Sequence, residues 1–176
     1  MAEVQRWSPL TALTNAETFI TELSIPAIGK EVTKDYSVDF TNLMNATNSQ
    51  LEEFLTMFGG YKAYLENQLA DVTATKTALE AAFNERYATA IYKLADEREE
   101  EGKKKLTREE VRGAAFERYP NLTELRKEII GQEAIHIKVS GLLNAYKSAY
   151  DAVSRVVTLR NMGRDNTKAW GVEHGG

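Results

Sequence analysis

The sequence contains no cysteine, only three prolines and no long run of apolar residues. Without cysteine the chain forms no disulfides, no thiolate nucleophile and no cysteine-ligated zinc site, and this composition fits a reducing compartment. No apolar run approaches the roughly 18 to 20 residues that a membrane-spanning helix needs. The amino terminus lacks a basic segment followed by an apolar core. We therefore expect a cytoplasmic protein with no membrane partner.

The chain also has no excess of positive charge. Its 22 lysines and arginines are outnumbered by 26 acidic residues, which gives a formal net charge of -4. This balance argues against a generally basic protein that coats nucleic acid, but it is compatible with a local basic patch on an acidic body. With 176 residues, 43% of them hydrophobic, the chain is long enough to form one ordinary domain with a core.

Residue types that carry enzymatic chemistry are scarce. The sequence has two histidines: His136 falls on a predicted core position, and His174 lies in the last three residues. The glutamates at 97 and 99–101 belong to a charge-dense run that contains glycine, which we interpret as a solvated hairpin tip and not as a metal site. Gly59-Gly60 lacks the Lys-Ser/Thr pair of a phosphate-binding loop. We predict no catalytic residue, no cofactor and no metal site, and hence a protein that is not an enzyme.

Two long stretches carry apolar residues at alternating steps of three and four. This heptad spacing is typical of a helix whose narrow apolar stripe packs against another helix, as in a coiled coil. The downstream stripe consists of Leu122, Leu125, Ile129, Gln132, His136, Val139, Leu143, Tyr146, Tyr150, Val153, Val157 and Arg160. The upstream stripe consists of Leu51, Leu55, Phe58, Lys62, Leu65, Leu69, Val72, Lys76, Leu79, Phe83, Arg86, Ala90 and Leu94.

These two stripes predict an all-α fold, a long antiparallel helical hairpin with short accessory helices and an extended N-terminal arm. Polar residues interrupt both stripes, among them Lys62, Lys76, Gln132 and His136. An isolated pair of helices would therefore have low stability, since its buried stripe is partly polar. We predict a homo-oligomer in which hairpins pack side by side.

Residues 1–48 are predicted to form the N-terminal arm with one short helix. Asn15 is a candidate N-cap for a helix over residues 16–23. Residues 32–40 alternate between apolar and polar side chains, as in a short strand. A lone strand needs a partner, so this segment either pairs with a copy in another subunit or belongs to an arm that drapes over the bundle.

The hairpin domain is predicted to cover residues 49–164. Ser49 followed by Glu52 has the pattern of a capping box, which places the start of the first long helix at Ser49. Gly59-Gly60 marks either a kink or the end of a short helix that precedes the long one. The charge-dense residues 97–106 are predicted to form the tip of the hairpin.

Helix signals beyond the tip predict a short helix over about residues 107–119, opened by a Thr107–Glu110 capping box. Pro120 then begins the second long helix, because proline is favoured in a first turn. Gly163 is a natural stop for that helix. Residues 165–176 are predicted to form a flexible tail.

Basic and aromatic residues gather in two places. The end of the second long helix and the segment after it carry Arg155, Arg160, Arg164, Lys168 and Trp170. Arginine pairs with phosphates, and an aromatic ring stacks on unpaired bases. Cations at a helix C-terminus also complement the helix dipole, so dipole compensation is an equally good interpretation of this cluster.

A second cluster, Arg86, Tyr87, Tyr92 and Lys93, lies toward the far end of the first long helix. Its rings suit base stacking, but they suit packing in the core or between subunits as well. Both clusters are candidate sites for binding nucleic acid.

The layout of the chain resembles the bacteriophage recombination mediator family typified by UvsY. The resemblance covers roughly residues 61–164 and rests on pattern. It uses Asn84-Glu85-Arg86-Tyr87 on a long helix, a charged connector with glycine, Tyr119 before a second long helix, and an ending from Gly141-Leu142-Leu143 through Tyr150 and Arg155 to Arg160.

This resemblance implies an oligomeric helical protein that binds single-stranded DNA. Such a protein helps to load a RecA-like recombinase past the single-strand-binding protein, in the host cell cytoplasm if a phage encodes it. The basic-aromatic segment of the family corresponds to Arg86, Tyr87, Tyr92 and Lys93. The alternative function is that of a phage structural or assembly protein, which would use the hairpin only as a subunit-packing element.

Overall fold

The computed structural model describes residues 7–25, 40–102, 104 and 106–171, with the backbone alone for residues 40–42 and 164–171. These residues form four α-helices, α1 (Pro9–Glu22), α2 (Asn48–Glu100), α3 (Arg108–Arg118) and α4 (Pro120–Gly171), and a 3₁₀ helix (Phe40–Asn45). Strands are absent from these described ranges. The prediction of an all-α protein built on a long helical hairpin is confirmed.

The chain divides into two compact units. Unit 1 comprises Met1–Leu23 and Leu69–Lys138, and unit 2 comprises Ser24–Gln68 and Val139–Gly176. The long helices α2 and α4 are continuous, and each contributes one part to each unit.

Both predicted heptad stripes lie on the buried faces of α2 and α4. Every residue of the two stripes is buried or half-buried except Arg86, which is exposed. Fully buried members include Leu65 on α2 and Val139 on α4. The spacing of three and four therefore identified the packed faces, because 3.5 residues per repeat keeps one stripe facing its neighbour.

Aromatic side chains form the core of unit 2. The Phe58 ring lies 5.8 Å from the Tyr146 ring in an edge-on arrangement, and the Tyr61 ring lies 5.3 Å from Tyr146. Phe54 stacks on Phe58 with centroids 5.5 Å apart. Helix α2 runs unbroken through Gly59-Gly60, so no short helix ends there.

The part of unit 1 near the hairpin tip has a core to which α3 contributes. Buried Ala90 and Leu94 of α2 cluster with Ala115 of α3 and Leu122 of α4. Ion pairs connect the same elements: Arg118 of α3 pairs with Glu97 of α2, and Lys76 of α2 pairs with Glu133 of α4. Helix α3, which follows the charged tip, therefore packs against the last turns of α2.

Pairings within each unit run antiparallel. In unit 2, Asn48 meets Arg160, whereas Glu66, further along α2, meets Lys147, which comes earlier on α4. In unit 1, Lys76 meets Glu133, and Leu94 clusters with Leu122. The antiparallel pairing of the two long helices agrees with the prediction.

The connections around α3 also follow the prediction. Thr107 N donates to Glu110 Oε2 at 2.8 Å, and Glu110 N donates to Thr107 Oγ1 at 3.3 Å, which completes the predicted capping box. The Glu110 carboxylate accepts hydrogen bonds from the backbone N–H and from the hydroxyl of Thr107, and these hold its pKa below its ordinary value. Tyr119 adopts a non-helical conformation and Pro120 begins α4. In the tip, Gly102 has φ +65°, the left-handed region that favours glycine.

Helix α1 begins earlier than the sequence predicted. Asn15 was predicted as the N-cap of a helix over residues 16–23, but the helix runs from Pro9 to Glu22. Ser8 serves as N-cap and Pro9 occupies the first turn, an arrangement that proline favours because its missing N–H would have no partner there. Residues 26–39 lie outside the described residues, as does the predicted choice between a strand and an arm for most of residues 32–40.

Helix α4 does not stop at Gly163 as predicted. It continues to Gly171, so residues 165–171 of the predicted tail are helical, and residues 172–176 lie outside the described residues. A single glycine costs only about 1 kcal/mol within a helix. No proline follows Gly163, so nothing in the sequence forces the helix to end there.

The capping box of α2 is displaced by two residues from the predicted one. Thr47 N donates to Gln50 Oε1 at 2.8 Å, and Gln50 N donates to Thr47 Oγ1 at 3.3 Å. The helix therefore begins at Asn48, and the predicted start at Ser49 is wrong.

We expect Thr47→Ala to lower the free energy of unfolding by about 1 kcal/mol, because a helix loses its N-cap. Ser49→Ala, a matched loss of a hydroxyl two residues further on, should change it by less than about 0.5 kcal/mol. Urea denaturation of both variants checks this. A larger loss of stability for Ser49→Ala would show that Ser49, and not Thr47, is the N-cap of α2.

Candidate nucleic-acid interface

The C-terminal part of α4 holds the first predicted cluster, and there Arg160 has a structural contact. Its Nη1 donates to Asn48 Oδ1 at 2.9 Å. Its Nη2 donates to the carbonyl oxygens of Met44 at 2.8 Å and Ala46 at 2.6 Å. The Met44 and Ala46 carbonyl groups lie at the C-terminal end of the 3₁₀ helix and just after it, where carbonyl groups have no helical partner, and Asn48 is the first residue of α2. Arg160 thus connects α4 to the turn that precedes α2 and to the first residue of α2, all within unit 2.

We expect Arg160→Ala to lower the free energy of unfolding by about 1 to 2 kcal/mol, because hydrogen bonds from a charged donor to this turn are lost. Arg155→Ala removes an exposed arginine from the same helix and should cost less than about 0.5 kcal/mol. Thermal melts of both variants at one protein concentration check the difference. Equal shifts would mean that the hydrogen bonds of Arg160 add nothing to stability.

The rest of that predicted cluster is not assembled into one site by the described contacts. Arg155 is exposed on α4. Arg164, Lys168 and Trp170 belong to the last turns of α4, but their side chains lie outside the described residues. Trp7, the other tryptophan of the chain, lies in unit 1, where Lys127 Nζ is 5.9 Å from its ring centroid.

The second predicted cluster yields two cations on one groove of unit 1. Arg86 and Lys93 are exposed, and both line a groove of about 410 Å³ together with Glu85, Thr89, Ala90, Tyr119, Asn121 and Leu122. Seven residues are about two helical turns, so the two side chains project from the same side of α2 about 10.5 Å apart along its axis. We call this feature the Arg86–Lys93 groove.

The two tyrosines of that cluster have different environments. Tyr87 is half-buried; its ring stacks on Phe83 at 5.7 Å and lies 6.2 Å from Phe116. Tyr92 is 72% exposed. It lies one residue from Lys93, about 100° around the helix, so its ring is available to a ligand that follows the Arg86–Lys93 groove.

Ion pairing separates the basic residues of unit 1 into two groups. Arg118 pairs with Glu97, Lys76 with Glu133, and Lys138 with Glu17. The hydrogen bond between the side chains of Lys76 and Glu133 raises the pKa of Lys76 and lowers the pKa of Glu133.

Arg86 and Lys93 belong to the second group. In the part of the chain that the structure describes, neither is paired with a carboxylate. A cation without a carboxylate partner retains its full attraction for an anionic ligand.

Sequence reasoning missed a second basic surface in unit 1. Arg108, Arg112 and Arg126 line a groove of about 440 Å³ with Glu109 and the rings of Phe83, Tyr87 and Phe116. The spacing of Arg108 and Arg112, four residues apart on α3, was a visible signal, because such residues share a helix face. Arg126 and the rings come from other elements, and no local pattern connects them.

We also searched the described residues for a metal site and for a membrane-spanning helix. Among the described residues no group of three or more His, Cys, Asp and Glu side chains is placed to hold a metal ion. Over the same residues, no helix is both long and apolar enough to cross a bilayer. Comparison of the chain with known protein families, with curated proteins and with solved structures finds no match.

Proposed function

We propose that this protein binds single-stranded DNA as a homo-oligomer and acts as a recombination mediator that helps to load a RecA-like recombinase past the single-strand-binding protein. The observation that carries the proposal is the Arg86–Lys93 groove with the exposed Tyr92 ring beside it. The resemblance of the chain to the phage mediator family supports the same function, which would act in the host cell cytoplasm if a phage encodes the protein.

The chemistry of this surface suits an unpaired strand. Arginine and lysine contact phosphates without regard to sequence, and an exposed ring stacks on any base. Tyr92 is an apolar surface that costs free energy when it is left in water, and a stacked base would cover it. A duplex keeps its bases stacked on each other, so the ring adds affinity for single strands only.

The net charge of -4 does not oppose this function. Binding depends on the local field at the contact surface, and charges further away than about 10 Å are largely screened at 0.1 M salt. Pairing of Arg118, Lys76 and Lys138 with carboxylates leaves the positive field of unit 1 to residues such as Arg86 and Lys93.

A phage structural or assembly protein is the second candidate function. It is favoured by the large apolar side chains that are exposed on the described helices, a set that comprises Leu10, Leu13, Met44, Tyr64, Tyr92, Ile137, Leu159 and Met162. Association of subunits would remove such apolar side chains from water. Self-association fits both functions, so DNA binding discriminates between them.

We expect light scattering at micromolar concentration to give a mass that is a multiple of the 19.8 kDa subunit mass. Packing of hairpins side by side would cover exposed apolar side chains such as Ile137 and Leu159, which favours association. A stable monomer would contradict the homo-oligomer and would weaken both candidate functions.

The mediator function is tested by the growth of a recombinase filament on a strand that is already covered with single-strand-binding protein. The purified protein should shorten the lag before filament growth on the covered strand and leave growth on bare DNA nearly unchanged. An unchanged lag, with strand binding intact, would reduce the function to DNA binding alone. An unchanged lag without strand binding would favour the structural protein.

A further inference from the structure

The groove of unit 1 that sequence reasoning missed is built by three helices, and we call it the α3 groove. Arg108 and Arg112 come from the first turns of α3, and Arg126 comes from the second turn of α4. Phe83 and Tyr87 of α2 and Phe116 of α3 supply its rings. The groove therefore exists only in the folded unit, where α3 covers the end of α2.

The rings of this groove form one continuous aromatic surface. Phe83 stacks on Tyr87 at 5.7 Å with an angle of 8° between the ring planes. Phe116 lies 6.2 Å from each of them. All three are half-buried rather than sealed in the core, so part of their surface is open to a ligand. The volume of about 440 Å³ falls in the range of small-ligand pockets.

The guanidinium groups around these rings have no carboxylate partners among the described residues. Arg112 lies over the Phe116 ring, with its guanidinium carbon 6.0 Å from the centroid. Arg118 on the same helix provides the contrast, because it is paired with Glu97. Three arginines against the single carboxylate of Glu109 leave the lining positive.

A ligand that has both a phosphate and a base fits the arginines and rings of this groove better than a ligand that has only one of them. A bare anion would need only the arginines, and an apolar ligand would need only the rings. A nucleotide within a single strand presents an anionic phosphate and a flat base a few ångströms apart, and arginine forks and aromatic faces are the groups that recognise them.

We infer that the α3 groove is a second contact site for the same single strand, holding one nucleotide with its base against the Tyr87 and Phe116 rings and its phosphates on Arg108, Arg112 and Arg126. This inference rests on the proposed function, and it assigns to DNA binding residues outside the Arg86–Lys93 groove. Glu109 also lines the groove, and its carboxylate can accept a hydrogen bond from a base N–H group, which thymine offers at N3.

The test uses the full chain and a fluorescein-labelled 30-nucleotide oligo(dT) across a salt series. An Arg108→Ala, Arg126→Ala double variant should lower the slope of log affinity against log salt by about 1.4, because each phosphate contact on single strands contributes about 0.7. The same contacts correspond to a loss of affinity of about 10- to 30-fold at 0.1 M salt. Arg112 stays in place, so its contact with Phe116 is kept.

An Arg118→Ala, Lys138→Ala double variant is the matched control. It removes the same amount of charge from unit 1, but from side chains that are already paired with carboxylates. It should bind like the parent. If it loses as much affinity as the groove variant, the effect comes from general charge and the inference fails.

A second measurement needs no substitution. Oligonucleotides that contain 5-iodo-deoxyuridine form photo-crosslinks to aromatic side chains that they contact, and the parent should be crosslinked at Tyr87 or Phe116. Unchanged binding by the groove variant, or crosslinks confined to Tyr92, would overturn the α3 groove and leave the proposed function intact. Failure of the parent to bind any single strand would overturn both.

Discussion

Replacing Tyr146 with alanine should lower the free energy of unfolding by about 3 to 5 kcal/mol, the range for removing a large aromatic side chain from a packed core. Tyr146 is 0% exposed. Its ring meets Phe58 and Tyr61 of α2, so its loss leaves a cavity between the two long helices of unit 2. The surrounding helices are continuous, which limits how far they can collapse into that cavity.

Tyr92→Ala is the control, because it removes the same side chain from a position that is 72% exposed. It should change the free energy of unfolding by less than about 0.5 kcal/mol. Urea denaturation at one fixed protein concentration compares the two, since association changes apparent stability. Equal losses for both variants would show that the buried and exposed faces of the hairpin are wrongly assigned.

An Arg86→Ala, Lys93→Ala double variant should lose single-strand affinity by about 10- to 30-fold at 0.1 M salt, with a salt slope reduced by about 1.4. The reason is that two exposed cations on one side of α2 would each neutralise a phosphate. Its oligomeric mass and melting temperature should match those of the parent, because neither side chain is buried. Fluorescence anisotropy with a labelled oligonucleotide, repeated at several salt concentrations, measures both effects.

The Arg118→Ala, Lys138→Ala variant again serves as the charge-matched control and should retain the parental slope. A Tyr92→Ala variant separates stacking from charge. It should weaken binding by about 1 to 3 kcal/mol with little change in slope, as expected for a ring that stacks on a base. If the Arg86→Ala, Lys93→Ala variant binds like the parent, this groove does not contact DNA.

The two long helices could be predicted because their signal is local and repeated. The stripes that include Leu65 and Val139 recur over many heptads, so a single polar member such as Lys62 does not obscure the period. The Pro120 start of α4 and the Thr107 cap of α3 were predicted for the same reason, since each depends on neighbours within three residues.

The ends of the elements were harder to predict because competing local signals are nearly equal in energy. Thr47–Gln50 and Ser49–Glu52 both have the spacing of a capping box, and tertiary contacts decide between them. The carbonyl groups of Met44 and Ala46, which accept hydrogen bonds from Arg160, favour the earlier start. Gly163 predicts a stop only weakly, because one glycine costs a helix about 1 kcal/mol.

Contacts between distant parts of the chain limited the prediction of the candidate site. The sequence places Arg160 with Arg155 and Arg164, because its hydrogen-bond partner Asn48 lies more than 100 residues earlier in the chain and no local pattern connects the two. Tyr87 was grouped with Arg86, but the two side chains are about 100° apart on the helix, and Tyr87 packs against Phe116 of α3. The α3 groove combines rings and arginines from three helices, so no single stretch of sequence reveals it.

The most direct test of the account is the affinity of the unmodified protein for a labelled single strand and for a duplex of equal length from 50 to 300 mM salt. We predict binding to oligo(dT) and to mixed sequences alike, an affinity that falls steadily with salt, and weaker binding to the duplex, whose bases cannot stack on Tyr92. Absence of single-strand binding at 50 mM salt would contradict it and would leave the structural or assembly protein as the leading function.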